Sequence, residues 1–326
     1  MSPAEWQVLL KGIADRDRRS LSRLISLVEN ADPGADQCLS ALYARTGQAF
    51  RIGVTGPPGG GKSTLIDALA RRLRSEDLSI GVVAVDPSSP FTGGALLGDR
   101  VRLTTSGSDS GLFFRSMATR GSIGGLATTA SEVSDVLDAY GMDVVLLETV
   151  GVGQIELDVV AASECTIVVL VPESGDDVQA MKAGLMEIGD VFVLNKSDRD
   201  SSGRAARELD LALQLRRHDA STWVPPIVRT VAREGRGIDE LWEVVNQFRE
   251  HQLSTGAGRD RRRKILHEKI REVTERILRR RIWTGGGEEE LEAAVTASLD
   301  GRRNPYESAA ELAERLAARN QKGERS

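Results

Sequence analysis

The period of the apolar positions changes twice along this chain. Between residues 3 and 46 they recur at three- and four-residue intervals: Trp6, Leu9, Leu10 and Ile13, then Leu21, Leu24, Ile25 and Leu27, then Cys38, Leu39 and Leu42. That spacing predicts amphipathic helices, the last two separated by the turn signal ADPGAD at 31–36. From about residue 49 to 250 the pattern becomes short β-rich runs: FRIGVTG, SIGVVAVD, DVVLLET, TIVVLVP, VFVLNKS and PIVRTVA, with helical stretches between them. Nearly continuous apolar strands alternating with helices predict an α/β fold, its mostly parallel central sheet covered on both faces. Beyond QLSTGAGRD, which reads as a linker, Ile265, Leu266, Ile270, Val273, Ile277 and Leu278 form a helical stripe. TGGG at 284–287 ends that helix, and two more amphipathic helices are expected at about 288–299 and 305–319. The expected organisation is an N-terminal helical segment (1–47), a central α/β domain (48–252) and a C-terminal helical arm (253–326).

Composition narrows the class without naming it. A chain of 326 residues with 40% hydrophobic and 28% charged content can bury a full core. A formal charge of −5 gives no reason to expect nucleic acid as a partner. The tract at 259–282 holds 11 Lys/Arg against 4 Asp/Glu, and RDRRRK within it reads as a solvated helix face or, second, as a surface for an acidic partner. Cys38 and Cys165 are the only cysteines, which leaves no disulfide framework or CxxC metal site. His218, His251 and His267 are scattered, without metal-ligand spacing. The start, MSPAEWQVLLKG, lacks a secretory pattern, and no apolar run approaches the ~18 residues of a membrane span. A cytoplasmic protein with no membrane association is the expectation.

The chemistry begins at GPPGGGKST, residues 56–64, between a β-run and a helix carrying Leu65, Ile66, Leu69 and Leu73. This is the G-x-x-x-x-G-K-[ST] phosphate loop in its proper context. Its glycines, Gly59, Gly60 and Gly61 among them, let backbone N–H groups through Thr64 close on phosphate oxygens at a helix N-terminus. Lys62 would neutralise the β/γ-phosphates and Ser63 would offer its hydroxyl oxygen to Mg²⁺.

Base identity follows from VFVLNKSD at 191–198, where Asn195, Lys196 and Asp198 sit at a strand end. A carboxylate at Asp198 accepts from both guanine N1–H and the 2-amino group, a pattern adenine does not offer. Lys196 can lie along the base plane, and Asn195 can bridge loops. Thr230, Val231 and Ala232, after a further strand, fit the remaining base-contact loop. GTP and GDP are therefore the expected ligands.

Asp86 ends the second expected strand, where ligand sites of open α/β sheets gather, and Asp99 follows in a glycine-rich loop. Both suit carboxylates that hold magnesium-bound water, with a turn former and a helix cap as the plainer alternatives. Glu148 ends the third expected strand and Gly151 follows, giving E-x-x-G. Glutamate can serve a metal-bound water from one methylene further out, and the Gly151 N–H could sense a γ-phosphate. Val152 cannot orient water, so hydrolysis is expected to depend on a partner or dimer mate. Gln154 is left without a role.

GPPGGGKST, VDPSSPFTGGALLGDR, RSMATRGSIGGL, ETVGVGQIE, GDDVQAMKAG and LNKSD, in that order, resemble the MeaB/ArgK family of P-loop GTPases. The resemblance runs through about residue 320. It implies a chaperone of an adenosylcobalamin-dependent acyl-CoA mutase, chiefly methylmalonyl-CoA mutase, that gates cofactor loading from a cobalamin adenosyltransferase and protects the mutase. It also implies that Asp86 and Asp99 lie in switch I, that Glu148 is the family's own usage in switch II, and that the C-terminal helices make a homodimer. Asp176, Asp177, Gln179 and Lys182, which by themselves read as a solvated loop and helix start, fall in a third switch by the same resemblance. Two other labels stay open: a kinase of an amino-acid-binding transport protein, and a nickel-insertion GTPase, which would call for His- or Cys/His-rich tracts.

Overall fold

Seven strands pair in parallel, in the order β3-β2-β4-β1-β5-β6-β7, in a computed structural model of the chain. The structure describes residues 3–86, 109–118, 125–149, 162–172, 184–214, 223–283 and 287–323; side chains at 3–4, 86, 118, 125–126 and 317–323 are not described. The strands are β1 (Phe50–Thr55), β2 (Ile80–Asp86), β3 (Leu112–Ala118), β4 (Val144–Thr149), β5 (Cys165–Leu170), β6 (Val191–Leu194) and β7 (Ile227–Arg229). Six of them are the six runs expected from the sequence. The other, LFFRSMA, was not foreseen. As β3 it lies at the sheet edge against β2, and Arg115 interrupts its apolar run. That guanidinium is bonded by Nε to Glu29 Oε1 (2.9 Å) and by Nη2 to Ser26 Oγ (2.9 Å). An edge strand needs only one well-buried face, so its sequence carries a weaker signal than a central strand.

The strict two-residue alternation of β4 divides the core. Val144 and Leu146 point into a cluster with Leu65, Leu69 and Leu73 of α4 (Lys62–Arg74) and with Leu241 and Val245 of α8 (Ile238–Thr255). Val145 and Leu147 point the other way, toward Val133, Val136 and Leu137 of α5 (Gly125–Tyr140). Leu65, Leu69 and Leu73, four apart and fully buried, each contribute about 1.5–3 kcal/mol of transfer free energy. A third cluster joins β5 and β6 to α6 (Leu185–Ile188) and α7 (Ser202–Gln214) through Phe192, Leu185 and Leu209.

Residues 128–140 of helix α5 are all buried, because the N-terminal helices α1 (Pro3–Ala14), α2 (Arg18–Glu29) and α3 (Ala35–Leu42) pack on the face turned away from the sheet. Asp17 caps α2, accepting from the backbone N–H groups of Arg19 and Ser20. These three helices therefore belong to the same core as the sheet.

At the N-terminal edge of the sheet lies a buried polar network. Asp138, its side chain fully buried, accepts from the backbone N–H of Gly47 (2.7 Å), Gln48 (3.2 Å) and Ala49 (3.0 Å) and from Arg51 Nη2 (3.3 Å). Arg51 also reaches Asp135 at 2.7 Å. Burial acting alone would depress the Arg51 pKa, but Asp135, Asp138 and Glu164 more than offset it and hold the guanidinium charged.

The chain forms two compact units, residues 1–267 and 268–326, so the division falls inside α9 (Ala257–Trp283). The segment that reads as a linker is a single left-handed residue, Gly256 (φ 77°), between α8 and α9. The basic tract is also not simply a solvated face. Arg261 donates to Ser163 O (2.9 Å), Thr166 Oγ1 (3.1 Å) and Asp190 Oδ2 (2.7 Å), and Arg262 pairs with Glu164 (2.5 Å). Arg259, Arg263 and Lys264 remain exposed. Beyond α9, the second unit contains α10 (Gly287–Leu299) and α11 (Pro305–Gly323). No described helix is long and apolar enough to cross a membrane.

Candidate nucleotide site

The loop after β1 turns back over the C-terminal edge of the sheet and enters α4 at Lys62. Two of its glycines are sterically required. Gly56 has φ 142°, and a Cβ there would stand 2.1 Å from Val169 O. Gly61 has φ 88°, and a Cβ there would stand 2.4 Å from Asn195 Nδ2. Lys62 is buried, and its ammonium donates to Gly56 O (2.7 Å) and Pro57 O (3.0 Å). A positive charge is thus held inside a loop that leads into a helix N-terminus, an arrangement able to receive an anion.

Glu148 sits near the end of β4, buried and in register with Val54 of β1 and Ala84 of β2. Its Oε1 accepts a hydrogen bond from Ser63 Oγ. One position on, Thr149 and Thr55 join β4 to β1 through their hydroxyls (3.0 Å). Asp86 closes β2 two positions beyond the residue level with Glu148. The expected residues Asp99, Gly151, Val152, Gln154, Asp176, Asp177, Gln179 and Lys182 lie outside the described residues.

Asn195 ties the phosphate-loop side to the other half of the site. Its Nδ2 donates to Gly60 O (2.9 Å), while its Oδ1 accepts from Thr230 Oγ1 (3.0 Å) and from the Ala232 N–H (3.1 Å). Lys196, in the left-handed region (φ 57°), donates from Nζ to Gly59 O (2.8 Å). The Ser197 N–H donates to Thr230 O (3.0 Å). Between these segments is a pocket of about 180 Å³, lined by Gly61, Thr64, Asn195, Lys196, Asp198, Arg199, Val231, Ala232 and Arg233. The structure therefore brings together Gly59 through Thr64, Glu148, Asn195, Lys196, Asp198 and Thr230 through Ala232. Sequence inspection missed Arg233, whose Nη2 donates to Asp198 Oδ2 (3.1 Å); only its position after the base-contact loop could have suggested it.

A strand–glycine loop–helix joined through one buried asparagine to an Asn-Lys-x-Asp turn, at the C-terminal edge of a parallel sheet, defines a P-loop GTPase. The comparisons with known proteins agree. A family model described as "Methylmalonyl Co-A mutase-associated GTPase MeaB" matches residues 21–286. A protein of Pyrococcus abyssi is 45% identical over 303 residues, covering 92% of this chain and 94% of its own. The GTPase ArgK of Escherichia coli is 36% identical over 273 residues, 82% of each chain. The solved structure of a LAO/AO transport system kinase is similar with a TM-score of 0.71 and 28% identity, over 97% of this chain and 99% of that one. This chain belongs to the MeaB family of GTPases, and its activity is GTP hydrolysis.

Proposed function

We propose that this GTPase is a chaperone of an adenosylcobalamin-dependent acyl-CoA mutase, methylmalonyl-CoA mutase first, and that nucleotide state gates its hold on that partner. The observation that carries the nucleotide half is the Asn195 bridge, which fixes a base-sized pocket and a phosphate loop as one assembly. The family's description carries the partner.

In this account the N–H groups of Gly59 through Thr64 bind the phosphates, and Lys62 stabilises charge that develops as water attacks in line. Asn195, Lys196, Asp198, Thr230, Val231 and Ala232 enclose guanine. A hydroxyl hydrogen-bonded to a buried carboxylate, as Ser63 is to Glu148, is a hard-oxygen pair that fits Mg²⁺. Ser63 and Glu148, with Asp86 and Asp99, would hold the ion, which when bound screens the charge of the β/γ-phosphates. Gly151 reports the γ-phosphate, and Asp176, Asp177, Gln179 and Lys182 relay nucleotide state to the mutase. A cobalamin adenosyltransferase is a further partner, and the cytoplasm is the proposed compartment.

Purified methylmalonyl-CoA mutase immobilised on a sensor should capture this protein with a dissociation rate that differs between the GTP- and GDP-loaded forms. No capture, or identical rates in both nucleotides, would remove the chaperone account. Transfer of a labelled γ-phosphate onto a transport-system binding protein would instead favour kinase activity, the activity for which the similar solved structure is named.

The homodimer belongs to the same proposal. Within the C-terminal unit, Leu278, Ile282, Trp283, Leu291, Leu312 and Leu316 are among the residues lining an apolar groove of about 880 Å³. On its rim Leu299 is 83% exposed and Leu278 51%. A second copy covering this groove would remove that apolar surface from water. Leu278→Glu with Leu299→Glu should therefore convert a dimer to a monomer by light scattering; a wild-type monomer, or an undisturbed dimer in the variant, rejects this interface.

A further inference from the structure

Asp198 has a partner that no guanine-reading role accounts for. Arg233 lies on the pocket wall and donates from Nη2 to Asp198 Oδ2 at 3.1 Å. The same nitrogen reaches Glu234 Oε1 at 3.3 Å, and Glu234 is itself paired with Arg236. Arg233 follows directly on Ala232, whose N–H is fixed by Asn195, so its backbone is anchored at the base pocket. The Arg233 side chain is 70% exposed and that of Asp198 30%.

We propose that Arg233 is a positioning residue for guanine selection, holding the Asp198 carboxylate in the rotation that accepts N1–H and the 2-amino group together. The proposal rests on Asp198 being the base-reading carboxylate. An aspartate carboxylate turns freely over a broad torsional well, and its two oxygens offer about four lone-pair sites. Guanine takes one site on each oxygen. Arg233 occupies another on Oδ2, so it can stay in place when the base binds and fix the plane of the carboxylate. Ordering of this kind matters for a two-point contact and much less for a one-point contact, where either oxygen serves in many rotations. Hypoxanthine, which lacks the 2-amino group, makes only the one-point contact. Arg233 should accordingly raise affinity for guanine nucleotides selectively, beyond any general attraction of its charge for phosphate.

Titration calorimetry of the full-length protein with GDP and IDP separates these effects. In Arg233→Ala the GDP dissociation constant should rise about three- to fivefold, the upper range for an exposed ion pair, while that for IDP changes by less than about twofold. Equal weakening of GDP and IDP would reduce Arg233 to general electrostatics and overturn the proposal. Unchanged or tighter GDP binding would also overturn it, the latter by making Arg233 a competitor for Asp198. Asp198→Asn tests the underlying assignment separately, by a switch of preference from GDP to XDP. If that variant keeps its GDP preference, the base-reading assignment falls and Arg233 falls with it. If the switch occurs while Arg233→Ala leaves the GDP-to-IDP ratio intact, only the role of Arg233 is lost.

Discussion

Lys62→Ala should lower kcat/KM for GTP hydrolysis by about 100-fold or more, the usual cost of removing one preorganised charge-stabilising group. Lys62 is 6% exposed, and two main-chain carbonyls, Gly56 O and Pro57 O, hold its ammonium within the loop. A cation fixed this way needs little reorganisation as negative charge grows on a transferred phosphoryl group. Arginine should not rescue it, since a planar fork cannot replace a compact ammonium between two carbonyls. Alanine is the best helix former and Lys62 is the first residue of α4, so the helix itself is not expected to suffer. The control is a thermal melt, which should stay close to wild type. Steady-state phosphate release indistinguishable from wild type would take away the catalytic role of the loop.

Asp138→Ala should produce the largest loss of stability, about 3–5 kcal/mol, because it breaks a buried charge network on one side only. The carboxylate satisfies three successive backbone N–H groups, those of Gly47, Gln48 and Ala49, just before β1. Without it the buried Ala49 N–H loses its acceptor, the N–H groups of the exposed Gly47 and Gln48 turn to water, and Arg51 keeps only Asp135 at 2.7 Å from that helix. The melting midpoint of the first unit should fall by roughly 6–20 °C. Turnover per folded molecule at low temperature should hold, since the network lies at the opposite edge of the sheet from the phosphate loop. Calorimetry and kinetics on the same preparation check both halves. A drop of less than about 1 kcal/mol would show that the donors find other partners.

Much of this fold is written locally. The central strands are so apolar that six were visible as runs, and their alternation with helices implied a parallel sheet before any pairing was known. β3 escaped because Arg115 and Ser116 interrupt it, and the arginine makes sense only once Glu29 and Ser26 of α2 are beside it. The basic tract is mostly the solvated face its sequence suggests, but the anchoring of Arg261 and Arg262 was hidden for a similar reason: Asp190 and Glu164, which receive them, lie 71 and 98 residues away in sequence. Asp138 gave no sign of its importance, since a carboxylate near the end of a helix usually faces water. The site follows the same division. The phosphate loop and the Asn-Lys-x-Asp turn are contiguous strings whose chemistry is legible residue by residue. The meeting of Ser63 with Glu148 depends on β4 lying beside β1, and the meeting of Asp198 with Arg233 on β7 lying beside β6; neither adjacency can be read from spacing.

Asn195 carries a consequence for how this protein can change. One buried amide spans three loops, so the segment that would choose the base and the segment that would grip the phosphates share a single mechanical joint. If Asp198 reads the base as proposed, drift in nucleotide choice can proceed there, at the pocket wall, without loosening that joint. Drift through Asn195 cannot, because a substitution there releases Gly60, Thr230 and Ala232 at once. The phosphate grip would then be held at the hinge while the route to a new base runs through the wall of the pocket.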